Sequence, residues 1–326
     1  MKFRLTLRGF LIVAIGACGY LAGSVTSILL SFSGHSDNQL AHTAHWVLQY
    51  SIVPVLLGAG IILIDLLVLK KNTRVIQYLP VRPDAKLTVV LTAYNDELSI
   101  GEAVRDFKSH PQVARVIVIS NNSRDKTLDK AVESGAVAYN EELQGYGACV
   151  YRALSEGLKC NDTEFTLLCE GDGTFKAYDI DKFLAYIPHA DIVNGSRIVE
   201  QLRAKGTQLT NFMYFGNFFV GKLLEMKNIN CGTLTDVGTT YKLCRNETLK
   251  GLLPKLTPTI NLEFNPYFLD MAMYYNYKIV ECPITFHPRI GVSKGGNQNN
   301  MVAFKLGMRM IIGITVSWRL LYKKKK

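Results

Sequence analysis

Charge is what two long stretches of this sequence lack. Residues 9 to 36 contain no Asp, Glu, Lys or Arg, and residues 46 to 69 contain only Asp65. Each run exceeds the roughly 20 residues needed to cross a bilayer. The pattern predicts two transmembrane helices, about 9–32 and 46–69, joined by a short loop. That loop, residues 37–45, has no Lys or Arg, whereas Lys2, Arg4 and Arg8 precede the first run and Lys70, Lys71 and Arg74 follow the second. The positive-inside rule therefore puts both ends, and everything after residue 70, in the cytoplasm. A leader cleaved at Cys18 is the alternative reading. It leaves the apolar sequence beyond Cys18, and the second run with its basic flank, without a purpose.

C-x-x-C pairs are also missing. The seven cysteines are scattered and odd in number, with no histidine at ligand spacing. This argues against a disulfide framework or a zinc site and suits reduced thiols. His35, His42 and His45 fall between the two predicted helices and suggest no catalytic role. No nucleic-acid-binding motif accompanies the net charge of +10, and Lys323 to Lys326 supply four of those charges. A basic tail beside apolar sequence suits membrane lipids with anionic headgroups. Internal repeats are absent.

What remains is long enough for one α/β domain. "KLTVVLT", "VARVIVIS", "EFTLLC" and "HADIVNGS" are apolar runs that read as strands, and helical patterns separate them. Asp96 is placed to cap the first of those helices. Continuous apolar strands alternating with helices predict an α/β fold, a mostly parallel sheet covered on both faces. Ligands bind beyond the carboxyl ends of such strands. The expected organisation is a membrane anchor over residues 1–78, a catalytic domain over 79–295, and a C-terminal segment over 296–326. In that last segment Lys305, Arg309 and Arg319 leave only nine uncharged residues between the arginines. It reads as an amphipathic interfacial helix with a lysine tail; an ordinary surface helix packed on the domain is the alternative.

The third strand ends in Glu170-Gly171-Asp172-Gly173. Two carboxylates without histidine or a cysteine pair suit a hard cation, Mg²⁺ or Mn²⁺, which would bridge the protein to phosphates. Gly171 lets the backbone approach closely, and Gly145 makes a turn entering a helix. Alone, such an acidic turn is a weak signal and is often simply solvated.

The surrounding blocks sharpen it. The first strand ends Thr92-Ala93-Tyr94-Asn95-Asp96, and the second Ser120-Asn121-Asn122-Ser123-Arg124-Asp125. "NGSR", "TDVGTTYKLCR" and "ECPITFHPRIGVSKGG" follow in order. Over residues 86 to 312 the set resembles the GT-A fold of family 2 glycosyltransferases, and most of all the polyprenyl-phosphate branch (dolichyl-phosphate mannose or glucose synthases). The resemblance implies a GT-A, Rossmann-like domain; the two-helix hairpin before it is read from the charge-poor runs, whereas many members of the family carry their spans after the catalytic domain. It implies a nucleotide pocket at Thr92, Ala93, Tyr94, Asp96, Asn121, Ser123, Gly145 and Gly171. It implies a metal on Glu170 and Asp172, with Asp172, Asp236 and Arg197 at the reacting centre. A lipid phosphate would be held by Arg197, Arg289, Ser293 and Lys294.

The implied reaction is an inverting hexose transfer from a UDP- or GDP-sugar to polyprenyl or dolichyl phosphate, with Mg²⁺ or Mn²⁺. A phosphate acceptor is largely ionised at neutral pH and needs no general base. The alternatives stay open: a hydroxyl acceptor with Asp236 as base, or a tethered nucleotide-binding scaffold without catalysis. Arg289 and Lys294 read equally as solvated loop charges, Arg197 as a partner of Asp191, and Asp236 as a turn or cap residue. Homo-oligomerisation is left open.

Overall fold

The structure, a computed structural model, describes residues 5–33, 39–67, 78–228, 231–291 and 300–321. The chain forms two compact units, Met1–Thr73 and Arg74–Lys326.

The first unit holds α1 (Leu5–Phe32), α2 (Gln39–Tyr50) and α3 (Ile52–Leu67). One continuous helix is predicted from residue 46; the structure starts earlier and breaks at Ser51. Pro54 explains the break, because it has no N–H to donate to the Tyr50 carbonyl. α1 and α3 approach closely through glycines: a Cβ built on Gly58 would lie 2.4 Å from the Gly9 carbonyl oxygen. Small residues at such crossings bring backbones into van der Waals contact. Asp65, the one charged residue of the second apolar run, turns inward. It is buried, and it accepts from the Thr6 backbone N–H at 2.9 Å and from the Thr6 hydroxyl. A carboxylate there answers the unpaired amides and positive dipole end of α1.

The second unit is a seven-stranded sheet with helices. In chain order it runs β1 (Leu87–Ala93), α4 (Ile100–Ser109), β2 (Val113–Ser120), α5 (Thr127–Glu133), β3 (Val137–Asn140), α6 (Tyr146–Leu158) and β4 (Phe165–Glu170). Then come α7 (Ile180–Tyr186), β5 (Ile192–Ser196), α8 (Asn211–Lys227), β6 (Lys242–Arg245), α9 (Asn246–Leu252), α10 (Phe264–Tyr274) and β7 (Ile279–Pro283). The strand order is β3-β2-β1-β4-β6-β5-β7. β6 is antiparallel to both its neighbours, and the other pairs are parallel. Every residue of β1 is buried. Its register against β4 runs from Leu87↔Phe165 to Thr92↔Glu170, so β1 and the acidic loop end together.

An aromatic cluster fixes that loop from below. Phe175, just past the loop, packs on Tyr241 and Phe286, and Tyr241 also meets Phe107 and Phe183. Burying each such ring is worth about 1.5–3 kcal/mol, which is ample to hold a short turn.

The chain continues in α11 (Asn300–Ile312), a π-helical turn over Gly313–Ser317, and α12 (Trp318–Leu321). Among the described residues, three helices are by length and composition sufficient to cross a membrane: Leu5–Phe32, Gln39–Asp65 and Asn300–Ser317. The third has a face committed to protein. Arg309 pairs with buried Glu263, and Met310, Ile314 and Trp318 are buried. The Trp318 indole N–H donates to Asp270 at 2.6 Å, and Lys227 pairs with the same carboxylate. Gly313 makes room, since a Cβ there would lie 2.3 Å from the Trp318 ring. The other face exposes Met301, Phe304, Met308, Ile312 and Val316.

Candidate active site

Those residues named from the sequence that the structure describes lie at and around the carboxyl ends of β1, β2, β4 and β5. Asp96 is not the cap of α4; Ser99 is the residue before its first turn. The Asp96 side chain instead accepts from the Tyr94 N–H at 2.9 Å and from Arg289 Nη2 at 2.5 Å. Between them Asn95 takes a left-handed backbone, φ 51°, which Asn tolerates better than most residues. The Asn95 N–H donates to the Ser123 hydroxyl at 2.9 Å, and Ser120 donates to the same oxygen at 2.7 Å. Thr92 and Ala93 are buried in the strand, and Tyr94 is more exposed.

Asn121 is spent on scaffolding. Its side-chain NH₂ donates to the carbonyls of Glu141 and Leu143, and its oxygen accepts from Gly145 N–H at 2.8 Å and from Gln144. That bond pins the turn at Gly145, whose φ of 143° favours glycine, against the end of β2.

Glu170 is half-buried on one side of Gly171. Its Oε1 accepts from the Thr240 hydroxyl at 2.7 Å. The chain of contacts continues: Thr240 meets the Tyr146 hydroxyl at 2.5 Å, Asn265 donates to Tyr146 at 3.0 Å, and Lys242 donates to Asn265 at 3.3 Å. Burial, and then the charge of Asp172, pushes the Glu170 carboxyl up to about 7. Burial likewise pulls the Lys242 ammonium down to about 7. On the other side, Asp172 Oδ1 accepts from the Thr174 N–H and hydroxyl, while Oδ2 faces Arg289 Nη1 at 2.8 Å.

Arg197 and Asp236 form the tightest pair of the site. Arg197 Nε donates to Oδ2 at 2.6 Å and Nη2 to Oδ1 at 2.8 Å, and the Arg197 N–H adds a third bond. Gly238 N–H donates to Oδ1 as well. Both side chains are almost wholly buried. Burial opposes both charges, and the pairing more than offsets it. The Asp236 carboxyl therefore lies below the ordinary range and the Arg197 guanidinium above its own. Asp191 is not the partner of Arg197; it accepts from the Lys278 N–H at 2.8 Å. Ser293 and Lys294 lie outside the described residues.

Sequence reasoning missed two sets of side chains. Thr240, Tyr146 and Lys242 stand behind Glu170. Glu281 on β7 accepts from the backbone N–H groups of Thr235 and Asp236, at 2.8 and 3.0 Å, and so sets the loop that carries Asp236. The signals were there: "TTYK" and the glutamate of "ECPITF" sit in quoted blocks without an assigned role.

An acidic pair at the end of a central strand, in a mostly parallel sheet with one reversed strand, defines a GT-A-type glycosyltransferase domain. The family model for glycosyl transferase family 2 matches residues 88–252, and the chain belongs to that family. A dolichyl-phosphate hexose transferase of Haloferax volcanii is 28% identical over 210 residues, covering 64% of this chain and 86% of that protein. Protein RfbJ of Shigella flexneri is 29% identical over 113 residues, 34% of this chain and 84% of its own length. Among solved structures, glucosyl-3-phosphoglycerate synthase from Mycobacterium tuberculosis, in complex with Mn²⁺ and UDP-glucose, superposes with a TM-score of 0.53. It is 13% identical, covering 71% of this chain and 79% of that one. The chain is thus a glycosyltransferase by family, and it shares the fold of that solved structure.

Glu170 and Asp172 fit a divalent ion of the Mg²⁺ or Mn²⁺ kind. Among the described residues no three His, Cys, Asp or Glu side chains gather into a cage. A hard cation that takes one or two carboxylates and completes its shell with water and phosphate needs no such cage.

Proposed function

We propose that this enzyme moves a hexose from a UDP- or GDP-sugar to a polyprenyl phosphate of the dolichyl type, at the cytoplasmic face of a membrane, with inversion. The observation that carries the choice of acceptor is the Arg197–Asp236 pair. A hydroxyl acceptor requires a base, and Asp236 is the side chain the resemblance offers. Both its oxygens are engaged by Arg197, and its carboxyl is held below the ordinary range, which makes it a poor proton acceptor. A phosphate acceptor arrives already ionised. The dolichyl-phosphate hexose transferase among the relatives supports the same acceptor class.

Each residue then has a task. Asp96, Tyr94 and the turn at Ser123 receive the nucleoside. Asn121 sets the Gly145 turn beside them. A divalent ion on Glu170 and Asp172 would supply Lewis acidity to the departing diphosphate. Arg289 offers a planar fork that suits a phosphate. Residues 1–78 would anchor the enzyme, 79–295 carry the chemistry, and 296–326 rest on the membrane surface. The two apolar helical spans of the first unit support residence in a bilayer.

The test uses membranes carrying the full chain, given radiolabelled UDP- and GDP-hexoses with Mn²⁺ or Mg²⁺ and a polyprenyl phosphate. An acid-labile glycolipid in the organic extract is the expected product. Its absence with every donor and both metals refutes the reading.

A further inference from the structure

The segment after β7 runs alongside the acidic loop. His287 N–H donates to the Thr174 carbonyl at 2.9 Å, and Ile290 N–H to the Asp172 carbonyl at 3.1 Å. These bonds hold Arg289 between two strand ends. Its Nη1 meets Asp172 Oδ2 at 2.8 Å and its Nη2 meets Asp96 Oδ1 at 2.5 Å. The side chain is 14% exposed, and its Nε has no hydrogen-bond partner among the described residues. So one guanidinium bridges the carboxylate proposed for the metal and the carboxylate proposed for the nucleoside.

A divalent ion on Asp172 would compete with the guanidinium for the charge of that carboxylate. Both are cations, and their mutual repulsion in a partly buried site is strong. Without either, buried carboxylates would lie uncompensated, at a cost of several kcal/mol. The two cations therefore compete, and each weakens the hold of the other. Once displaced, a planar fork with a free Nε finds its best new partner in a phosphate.

We infer that Arg289 is the resident counter-ion of the empty site: the metal–nucleotide complex displaces it from Asp172 and Asp96, and only then is it free to receive the acceptor phosphate. The inference rests on the function proposed above and adds an order to it, donor before acceptor. It also reverses the usual expectation for a binding-site arginine. Removing Arg289 impairs transfer but improves metal binding to the empty enzyme.

The test measures free Mn²⁺ by electron paramagnetic resonance as it is titrated into the full chain in detergent, first alone and then with UDP or GDP. In Arg289→Gln, affinity for Mn²⁺ alone should rise by about tenfold, which is about 1.4 kcal/mol, while glycolipid formation falls. Arg289→Lys keeps a charge but not the fork, and its Mn²⁺ affinity should fall between wild type and Arg289→Gln. If Arg289→Gln does not fold, Arg289→Lys decides alone. Unchanged or weaker Mn²⁺ binding in the variant that folds overturns the inference. A wild type that binds Mn²⁺ with neither nucleotide sinks the transferase reading itself. A wild type that does bind, with variants no tighter, sinks only the role of Arg289.

Discussion

Replacing Asp236 by asparagine exchanges one oxygen for an NH₂ group inside a ring of donors. Three of those donors come from Arg197, at 2.6, 2.8 and 3.1 Å, and the fourth is the Gly238 N–H. The amide can still accept on one side. On the other it sets N–H against N–H, and the Arg197 charge is left in a pocket where its side chain is only 8% exposed. Stranding one member of a buried ion pair costs about 3–5 kcal/mol. For a domain of this size each kcal/mol shifts melting by about 2–4 °C, so Asp236→Asn should melt roughly 6–20 °C below wild type. The assay is thermal unfolding of the full chain in detergent, run as a double-mutant cycle with Arg197→Gln. The double variant removes both charges and should recover part of the loss, with a coupling of about 2 kcal/mol or more. Transfer activity should fall in step with the folded fraction. A variant that melts like wild type, binds donor, and yet turns over nothing would refute this reasoning and make Asp236 a catalytic base.

The remaining predictions concern the side chains behind Glu170. Thr240→Val removes the hydroxyl that donates to Glu170 at 2.7 Å, and a lost orienting partner of this kind lowers metal affinity by about 10–100-fold. Mn²⁺ titration in the presence of UDP or GDP checks it, with a melting shift of only a few degrees expected. Lys242 gives a pH signature. Burial depresses its folded pKa to about 7 from 10.5, so the unfolded chain binds the extra proton between those values and wild-type stability gains as pH rises through that window. Lys242→Met lacks this gain. Its stability relative to wild type should therefore decline by about 1.4 kcal/mol per pH unit above pH 7, read from melting curves at pH 7, 8 and 9.

How far the sequence reveals this site depends on whether a residue violates its local pattern. Glu170 and Asp172 do, because carboxylates at the end of the apolar run "FTLLC" make no sense as core. Four strands are legible for the same reason, being continuous apolar runs. β6 is not: it is four residues long, begins with Lys242, and nothing in an apolar pattern encodes its reversed direction. β3 is as short and lies at the sheet edge, and β7 ends in Pro283. Partnerships across the chain are hidden more deeply. Arg197 sits six residues from Asp191 in sequence and nearer to it than to Asp236, so proximity suggested the wrong acid. The sheet overrules proximity, because β5 lies between β6 and β7 and its end faces the loop before β6 rather than its own beginning. Asp96 misled in the opposite sense. Its position before a helix is that of a cap, yet Ser99 stands there, and this frees the carboxylate for Arg289. In both cases a charged side chain went to a partner more than thirty residues away, and such a choice is made by the fold, after the strands have set which ends meet.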